Sequence, residues 1–124
     1  METKNIRNIA LMGHGNSGKT SLAESMLYVT GAIDRQGTVA AGNTVCDYDA
    51  EEISRQISIS LSIAPISFGG KKINVLDTPG FFDFAGEVLC AIRAVEAGLI
   101  FCTAKDGISV GANRCWKSLL LTVN

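Results

Sequence analysis

The segment that most constrains the fold of this chain is residues 13–20, which read GHGNSGKT. They match the pattern G-x-x-x-x-G-K-[ST] at every fixed position. A short apolar run, residues 8–12, precedes the segment and predicts a buried strand. Residues 19–29 follow with apolar side chains at helical spacing and predict a helix. This sequence pattern is specific when, as here, it lies between a strand and a helix.

The residue types in this loop suit the binding of phosphate. Phosphate oxygens need several converging backbone N–H donors, and glycine permits a close approach because it has no side chain. The loop leads into a helix N-terminus, whose dipole favours anions. Lys19 would add a positive charge near the β- and γ-phosphates, and Thr20 a hydroxyl ligand for Mg²⁺. The predicted nucleotide-binding residues are His14, Gly15, Asn16, Ser17, Gly18, Lys19, Thr20 and Ser21.

His14 is the member of this set for which two interpretations stay open. One is a contact near the nucleotide. The other, which we favour because no phosphate chemistry demands a histidine there, is packing beneath the loop.

A second segment with chemical potential, residues 77–80, reads DTPG and directly follows a predicted strand at residues 72–76. An acid at the carboxyl end of a strand lies where open α/β sheets bind ligands. The Asp77 carboxylate can hold Mg²⁺ directly or through water. Gly80 can bring a backbone N–H close to a γ-phosphate without steric obstruction. An ordinary turn is the alternative, which the phosphate-binding loop in the same chain disfavours.

The rest of the pattern predicts a layered α/β fold. Residues 32–55 show no clear period and predict a long, mobile loop whose acids are solvated. Residues 57–63 alternate strictly between apolar and polar and predict a half-buried strand, joined by the Gly69-Gly70 turn to the strand at 72–76. The remaining predicted elements are a helix at 86–97, a strand at 99–103 and a helix at 112–123 with Trp116 in the core. Strands that alternate with helices indicate a mostly parallel sheet, here with one antiparallel hairpin strand.

Composition excludes several classes of protein. A chain of 124 residues allows one domain at most. Hydrophobic residues at 47% and charged residues at 19% disfavour intrinsic disorder. A net charge of -1 disfavours a strongly basic nucleic-acid-binding module, and the apolar runs are too short for a signal peptide or a membrane span. The cysteines form no C-x-x-C pair, which predicts reduced core thiols in a cytoplasmic protein: Cys46, Cys90, Cys102 and Cys115.

Together the two motifs resemble the G domain of translational GTPases, and more closely elongation factor G and its elongation-factor-G-like paralogues. The stretches that carry the resemblance are RNIA at 7–10, TGAID at 30–34, GNTV at 42–45, ISIS at 57–60 and DTPGFFDF at 77–84. The resemblance covers nearly the whole chain. It implies a C-terminally truncated P-loop NTPase fold, in which residues 1–124 form the N-terminal portion of a GTP-binding domain. It also implies binding of GTP or GDP, Mg²⁺-dependent hydrolysis, and the ribosome as a partner of the full-length protein.

The resemblance assigns roles to particular residues. Lys19 and Gly80 take the catalytic positions, and Thr20 and Asp77 take metal-binding ones. Ser58 falls where the family has a Mg²⁺-binding threonine in its first switch, and serine keeps the hydroxyl oxygen. Residues 34–55 match that first switch, whose order changes on contact with the γ-phosphate. Gln56 replaces the glycine that the family usually has, which we expect to alter the geometry of the loop.

Two departures from the family pattern have consequences for catalysis. Phe81 stands where most translational GTPases have a histidine that positions the attacking water, although the elongation-factor-G-like paralogues also resemble this chain in having an aromatic residue there. Phenylalanine cannot make that hydrogen bond, so we expect slow hydrolysis unless another group orients the water. Asn16 stands where the family usually has aspartate. Some related GTPases use asparagine there to ligate K⁺, and a polar loop residue without an ion is the alternative.

Two further functions stay open from the sequence. One is a non-catalytic nucleotide-binding module, and the other is an ATP-using P-loop protein such as a small kinase, against which the DTPG segment after a hairpin argues. Guanine specificity follows from the resemblance alone, because the Asn-Lys-x-Asp loop and the later Ser-Ala-type loop that select guanine do not occur in this chain. We expect neither a membrane nor DNA among the partners.

Overall fold

The computed structural model describes residues 2–80 and 85–122 and is built around a four-stranded sheet. The strands are β1 (Ile6–Gly13), β2 (Ser62–Phe68), β3 (Lys71–Asp77) and β4 (Ala97–Phe101). Their order across the sheet is β2-β3-β1-β4. Strand β1 runs parallel to β3 and β4, and β2 runs antiparallel to β3. The predicted α/β fold, mostly parallel with one antiparallel hairpin strand, is confirmed.

The helices are α1 (Lys19–Val29), α2 (Ala50–Arg55), α3 (Ala85–Ala94) and α4 (Val110–Thr122), and a short 3₁₀ turn precedes β1. Helix α1 has the bounds that its periodicity predicts. It ends at Val29, and Gly31, which follows the cap residue Thr30, has a φ of +74°, a left-handed conformation that favours glycine. Within the described residues, no helix combines the length and apolar character needed to cross a membrane.

Strand β1 is buried on both faces, which explains its continuous apolar sequence. Leu11 faces α1 in a cluster of buried side chains completed by Ala23, Leu27, Cys46, Ala64, Ile66 and Val75. Its neighbours Ala10 and Met12 point to the opposite face, in a cluster completed by Leu76, Ala91, Ile92 and Cys115. The sheet therefore lies between α1 on one side and α3 with α4 on the other.

The predicted strand at 57–63 is wrong over residues 57–61, because β2 begins only at Ser62. The backbone N–H groups of Ile59 and Ser60 donate instead to the Glu52 carboxylate, at 2.9 and 3.0 Å. That of Leu61 donates to Glu87 at 2.8 Å. These amides are held by carboxylates, so the alternating apolar residues before β2 do not join the sheet.

The predicted loop at 32–55 is also wrong in part, because it contains α2. This short helix begins with a capping box, in which the Asp49 side chain accepts from the helix backbone and Glu52 accepts from Asp49 N. Asp47 and Glu52 are buried at 4% and 1% exposure, which contradicts the prediction that the acids of this loop are solvated. Both accept hydrogen bonds within the protein, which offsets the cost of burying them.

Two further predictions about the core need correction. Trp116 is 56% exposed and is not a core residue, because α4 turns that side chain outward. All four cysteines are free thiols, but only Cys46 and Cys115 are buried, while Cys90 and Cys102 are exposed. Burial raises the pKa of both buried thiols, which keeps them protonated.

Candidate phosphate-binding site

The candidate site lies at the carboxyl ends of β1 and β3, where the sheet register places Leu11 beside Asp77. Strand β1 ends at Gly13, and residues 14–18 connect it to the first turn of α1. Gly13 has a φ of +146°, and a side chain there would approach the Phe101 carbonyl oxygen to 2.7 Å. Because glycine has no side chain, the backbone can pass close to β4 at this point and turn from the strand into the loop.

A cavity of about 230 Å³ opens above this loop. Every predicted nucleotide-binding residue except His14 lines it, as residues 15–21. Gly80 closes it from the end of β3, and the segment before β2 contributes Val39, Asp47, Gln56, Ile57 and Ser58. The site residues taken from two distant motifs therefore meet at one pocket. The His14 side chain is exposed, so our favoured interpretation, packing beneath the loop, is wrong.

Lys19 places a buried positive charge at this pocket. The residue is 6% exposed, and its Nζ donates to the carbonyl oxygens of His14 and Gly13 at 2.8 and 3.3 Å and to Ser17 Oγ at 3.4 Å. Burial lowers the pKa of Lys19, an effect that the nearby Asp77 carboxylate partly offsets. The bonded partners are neutral oxygens, so the ammonium group is held in place while its charge is available to an anion.

A chain of short hydrogen bonds joins both motifs to the segment between them. Thr20 Oγ1 donates to Asp77 Oδ2 at 2.5 Å, and Ser58 Oγ donates to Asp47 Oδ1 at 2.6 Å. The two hydroxyl oxygens lie 3.1 Å apart. Because each hydroxyl donates its hydrogen to a carboxylate, both oxygens keep lone pairs that could bind a cation. Adjacent ligands of octahedral Mg²⁺ lie at a similar separation, about 3.0 Å.

Asp77 supplies a further oxygen at the same place. The residue is 1% exposed, and Oδ1 has no hydrogen-bond partner within residues 2–80 and 85–122. Burial raises the pKa of Asp77 to about 6, although the Thr20 hydroxyl and the Lys19 charge act in the opposite direction. An unpartnered buried carboxylate oxygen beside two hydroxyl oxygens is a donor set that suits a hard cation such as Mg²⁺. Nowhere in the described structure do three or more His, Cys, Asp or Glu side chains form a metal-binding group.

Gly80 brings the 77–80 turn into direct contact with the phosphate-binding loop. A side chain at this position would collide with the backbone of Gly15 and approach that of His14 to 2.7 Å. Thr78 fixes the turn to β1, because its hydroxyl and its backbone N–H both donate to the Leu11 carbonyl oxygen, at 2.7 and 3.3 Å. Phe81, the departure from the family pattern, lies outside the described residues.

Gln56 has the backbone conformation of a glycine. It ends α2 with a φ of +55°, in the left-handed region. The resemblance predicts an altered loop because the family usually has glycine there. Gln56 adopts this left-handed conformation at an energetic cost. The expected difference from the family's loop stays a prediction.

Three acids that organise the site were not predicted from the sequence: Asp47, Glu24 and Glu52. Asp47 binds Ser58, while Glu24 and Glu52 are each 1% exposed and accept backbone N–H groups from the segment before β2. Acidic residues are seldom buried, so composition alone predicts solvation. The D-x-x-E spacing of Asp49 and Glu52 was a readable capping-box signal.

This arrangement of loop, buried lysine and carboxylate lies within a recognised domain. Residues 4–122 match the model of the family described as the elongation factor Tu GTP-binding domain. The chain belongs to this family. The membership confirms the predicted resemblance and, with the sheet described above, the P-loop NTPase fold.

The relatives of this chain include proteins of the elongation factor G type. The chain is 38% identical to "Elongation factor G-like protein" of Mycobacterium tuberculosis H37Rv over 112 residues, which is 90% of this chain and 16% of that protein. It is equally identical, over the same length, to "Elongation factor G 2" of Borreliella afzelii and covers 17% of it. A crystal structure of a Thermus thermophilus protein superposes with a TM-score of 0.91 at 40% identity, covering 94% of this chain and 18% of that one. The chain thus spans about a sixth of the length of the relatives it matches.

Proposed function

We propose that this chain binds guanine nucleotide together with Mg²⁺, and that in the full-length protein it acts as a slow GTPase and elongation-factor-G-like switch. The observation that carries the proposal is that Lys19, Thr20 and Ser58 line one pocket, while Asp77 accepts the Thr20 hydroxyl beside it and keeps its Oδ1 atom unpartnered among the described residues. Family membership supports guanine as the base.

The geometry supports a binding role for each of these residues. Residues 14–21 would surround the phosphates, with backbone N–H groups of the loop and the first turn of α1 as donors. Lys19 would contact the β- and γ-phosphates with a charge that the loop carbonyls already hold in position. Thr20, Ser58 and Asp77 would hold Mg²⁺, which supplies charge neutralisation to the phosphates. Residues 1–124 act in this proposal as the phosphate-binding part of a GTP-binding domain.

For hydrolysis, the chain offers Lys19 and Gly80 as the catalytic pair. Lys19 would stabilise the charge that develops on the transferred phosphoryl group, and Gly80 would contribute its backbone N–H near the γ-phosphate. Phe81 offers no hydrogen bond to an attacking water, so intrinsic hydrolysis should be slow. A Phe81→His variant that hydrolyses GTP faster would support this role, and a wild-type rate equal to that of ordinary translation factors would contradict it.

Asn16 gives the pocket a further ligand for a cation. It lines the cavity and has a left-handed φ of +62°. A K⁺ ion held there would add positive charge beside the phosphates. The proposal expects hydrolysis to be faster in K⁺ than in Na⁺ at equal ionic strength, and equal rates would reject it.

A second function, a nucleotide-binding module that does not hydrolyse GTP, is favoured by the aromatic residue at position 81. A single-turnover hydrolysis assay distinguishes the slow GTPase from this module. The GTPase converts bound GTP to GDP, whereas the non-hydrolysing module releases intact GTP. We propose a cytoplasmic protein whose full-length form contacts the ribosome, as the resemblance to elongation factor G implies.

The experiment that tests the proposed function is competition for a fluorescently labelled GTP in the presence of Mg²⁺. Unlabelled GTP and GDP should displace the label, and ATP should do so only at much higher concentration. Lys19→Ala should abolish binding, while the exposed Lys71→Ala, at the far end of the hairpin, should not. Equal displacement by ATP would contradict guanine specificity.

A further inference from the structure

Glu24 is a buried carboxylate that the proposed function does not use. Its side chain lies on α1 and is 1% exposed. Oε1 accepts a hydrogen bond from the backbone N–H of Gly37 at 2.9 Å, and Oε2 accepts one from that of Val45 at 3.0 Å. The two oxygens of one carboxylate therefore attach both ends of the loop formed by residues 37–45.

The 37–45 loop has its own internal hydrogen bonds. Asn43 Oδ1 accepts from the N–H of Thr38 at 2.9 Å, and the Thr38 hydroxyl accepts from the N–H of Ala41 at 3.2 Å. A side chain in place of Gly37 would collide with the Asn43 backbone. The loop is thus a compact unit that Glu24 holds at both ends.

The position of this loop affects the phosphate pocket at two places. Val39, near its tip, lines the pocket directly. Cys46, the first residue after it, packs into the core against α1, and Asp47 comes next and accepts the Ser58 hydroxyl at 2.6 Å. Helix α1 carries Thr20 and Glu24 one turn apart on the same face. The same face of α1 therefore carries the Thr20 hydroxyl of the pocket and the Glu24 carboxylate that binds the 37–45 loop.

We propose that Glu24 is a positioning residue that clamps the 37–45 loop to α1 and so sets Val39 and Asp47 at the phosphate pocket. Where it concerns nucleotide binding, the inference rests on the proposed function. A carboxylate suits this position because it accepts at both oxygens. A glutamine would turn an N–H₂ group toward one of the two backbone N–H donors and leave that donor without a partner.

Hydrogen exchange of the full chain tests the clamp without any nucleotide. In Glu24→Gln, the amides of residues 37–46 should exchange about tenfold faster or more, because a hydrogen bond to a charged group is lost. Amides of β1 and β3 should keep their wild-type rates. Glu51→Gln is the matched control, since Glu51 is an exposed glutamate of α2 that touches neither the loop nor the pocket. It should leave exchange in residues 37–46 unchanged.

A second measurement distinguishes the clamp from a general loss of stability. It compares the binding of labelled GDP and of a non-hydrolysable GTP analogue, each with Mg²⁺. Glu24→Gln should weaken the GTP analogue about tenfold while GDP weakens less than threefold, because Ser58 and its partner Asp47 are displaced while the phosphate loop is intact. Equal losses for both nucleotides would mean a merely structural role and would overturn the proposal. A wild-type chain that binds neither nucleotide would refute the proposed function, and the exchange data would still decide the clamp.

Unchanged exchange in residues 37–46 of a folded Glu24→Gln variant would overturn the clamp directly. If that variant does not fold, Glu24→Asp takes its place, because its shorter side chain cannot reach both ends of the loop. If neither variant folds, the wild-type protein decides. Slow exchange of the Gly37 and Val45 amides supports the clamp, and fast exchange of either overturns it.

Discussion

Thr20 and Ser58 are 38 residues apart in the chain, yet their hydroxyl oxygens lie 3.1 Å from each other. Each is hydrogen-bonded to a different carboxylate, Asp77 for Thr20 and Asp47 for Ser58. The pair connects the start of α1 with the segment that precedes β2. In the proposed function these two oxygens and Asp77 hold Mg²⁺ beside the nucleotide phosphates.

Ser58→Ala should weaken Mg²⁺-dependent binding of a GTP analogue about tenfold, since it removes one proposed ligand and leaves Asp47 without its donor. Ser58→Thr should bind as the wild type does, because threonine keeps the hydroxyl. Ser60→Ala is the control, because Ser60 is exposed and, among the described residues, only its backbone N–H is bonded. Titration of the labelled analogue measures all three variants, and a Ser58→Ala protein with wild-type affinity would remove Ser58 from the site.

Asp77→Asn should separate stability from binding. At neutral pH the metal-free protein buries an ionised carboxylate with one unpartnered oxygen, so the amide should raise the free energy of unfolding by about 1 kcal/mol. Thr20 can still donate to the amide oxygen. Nucleotide binding should lose its dependence on Mg²⁺. Urea unfolding and binding with or without EDTA measure the two effects, and a less stable variant with intact Mg²⁺ dependence would contradict both.

Gly80→Ala should destabilise the fold by about 2 kcal/mol, because the new methyl group meets the backbone of His14 and Gly15. The matched control is Gly86→Ala in α3, where a side chain would meet no atom of the described residues within 4 Å. That control should be neutral or slightly stabilising. Thermal unfolding of both variants checks the pair. Equal stabilities would show that the 77–80 turn does not pack on the loop.

Gln56→Gly should stabilise the protein by about 0.5 to 1 kcal/mol. A left-handed conformation costs a non-glycine residue about 1–2 kcal/mol, and part of the gain is lost to the greater flexibility of glycine in the unfolded chain. Asn16→Gly is a useful comparison, because Asn16 also has a positive φ, and asparagine tolerates that conformation better than glutamine. The gain measured by urea unfolding should be larger at position 56, and a destabilised Gln56→Gly would contradict the left-handed turn.

Local sequence signals predicted the parts of this structure that depend on local chemistry. The GHGNSGKT loop and the Gly69-Gly70 turn need particular backbone conformations, so their residues are informative in isolation. The strand assigned to residues 57–63 failed because the amides of Ile59 and Ser60 bond to Glu52. No period in the sequence reveals such a carboxylate.

The same reason limits what could be predicted of the site. The two motifs indicated Lys19, Thr20 and Asp77, and the resemblance added Ser58; the structure brings these four residues close together, and their roles stay a prediction. The acids Glu24 and Asp47 were missed, because their importance comes from burial against backbone and hydroxyl donors that lie far away in the sequence. Trp116 was wrongly predicted to lie in the core, because helical spacing alone does not tell which side of α4 faces the sheet.

Thermal unfolding of the chain with GDP, in Mg²⁺ and in EDTA, is the decisive test of the proposed nucleotide site. A ligand that binds only the folded state raises the unfolding temperature by mass action. We expect a rise with GDP and Mg²⁺, a smaller rise in EDTA, and none in Lys19→Ala. An unchanged unfolding temperature of the wild-type protein at saturating GDP and Mg²⁺ would contradict nucleotide binding at this site.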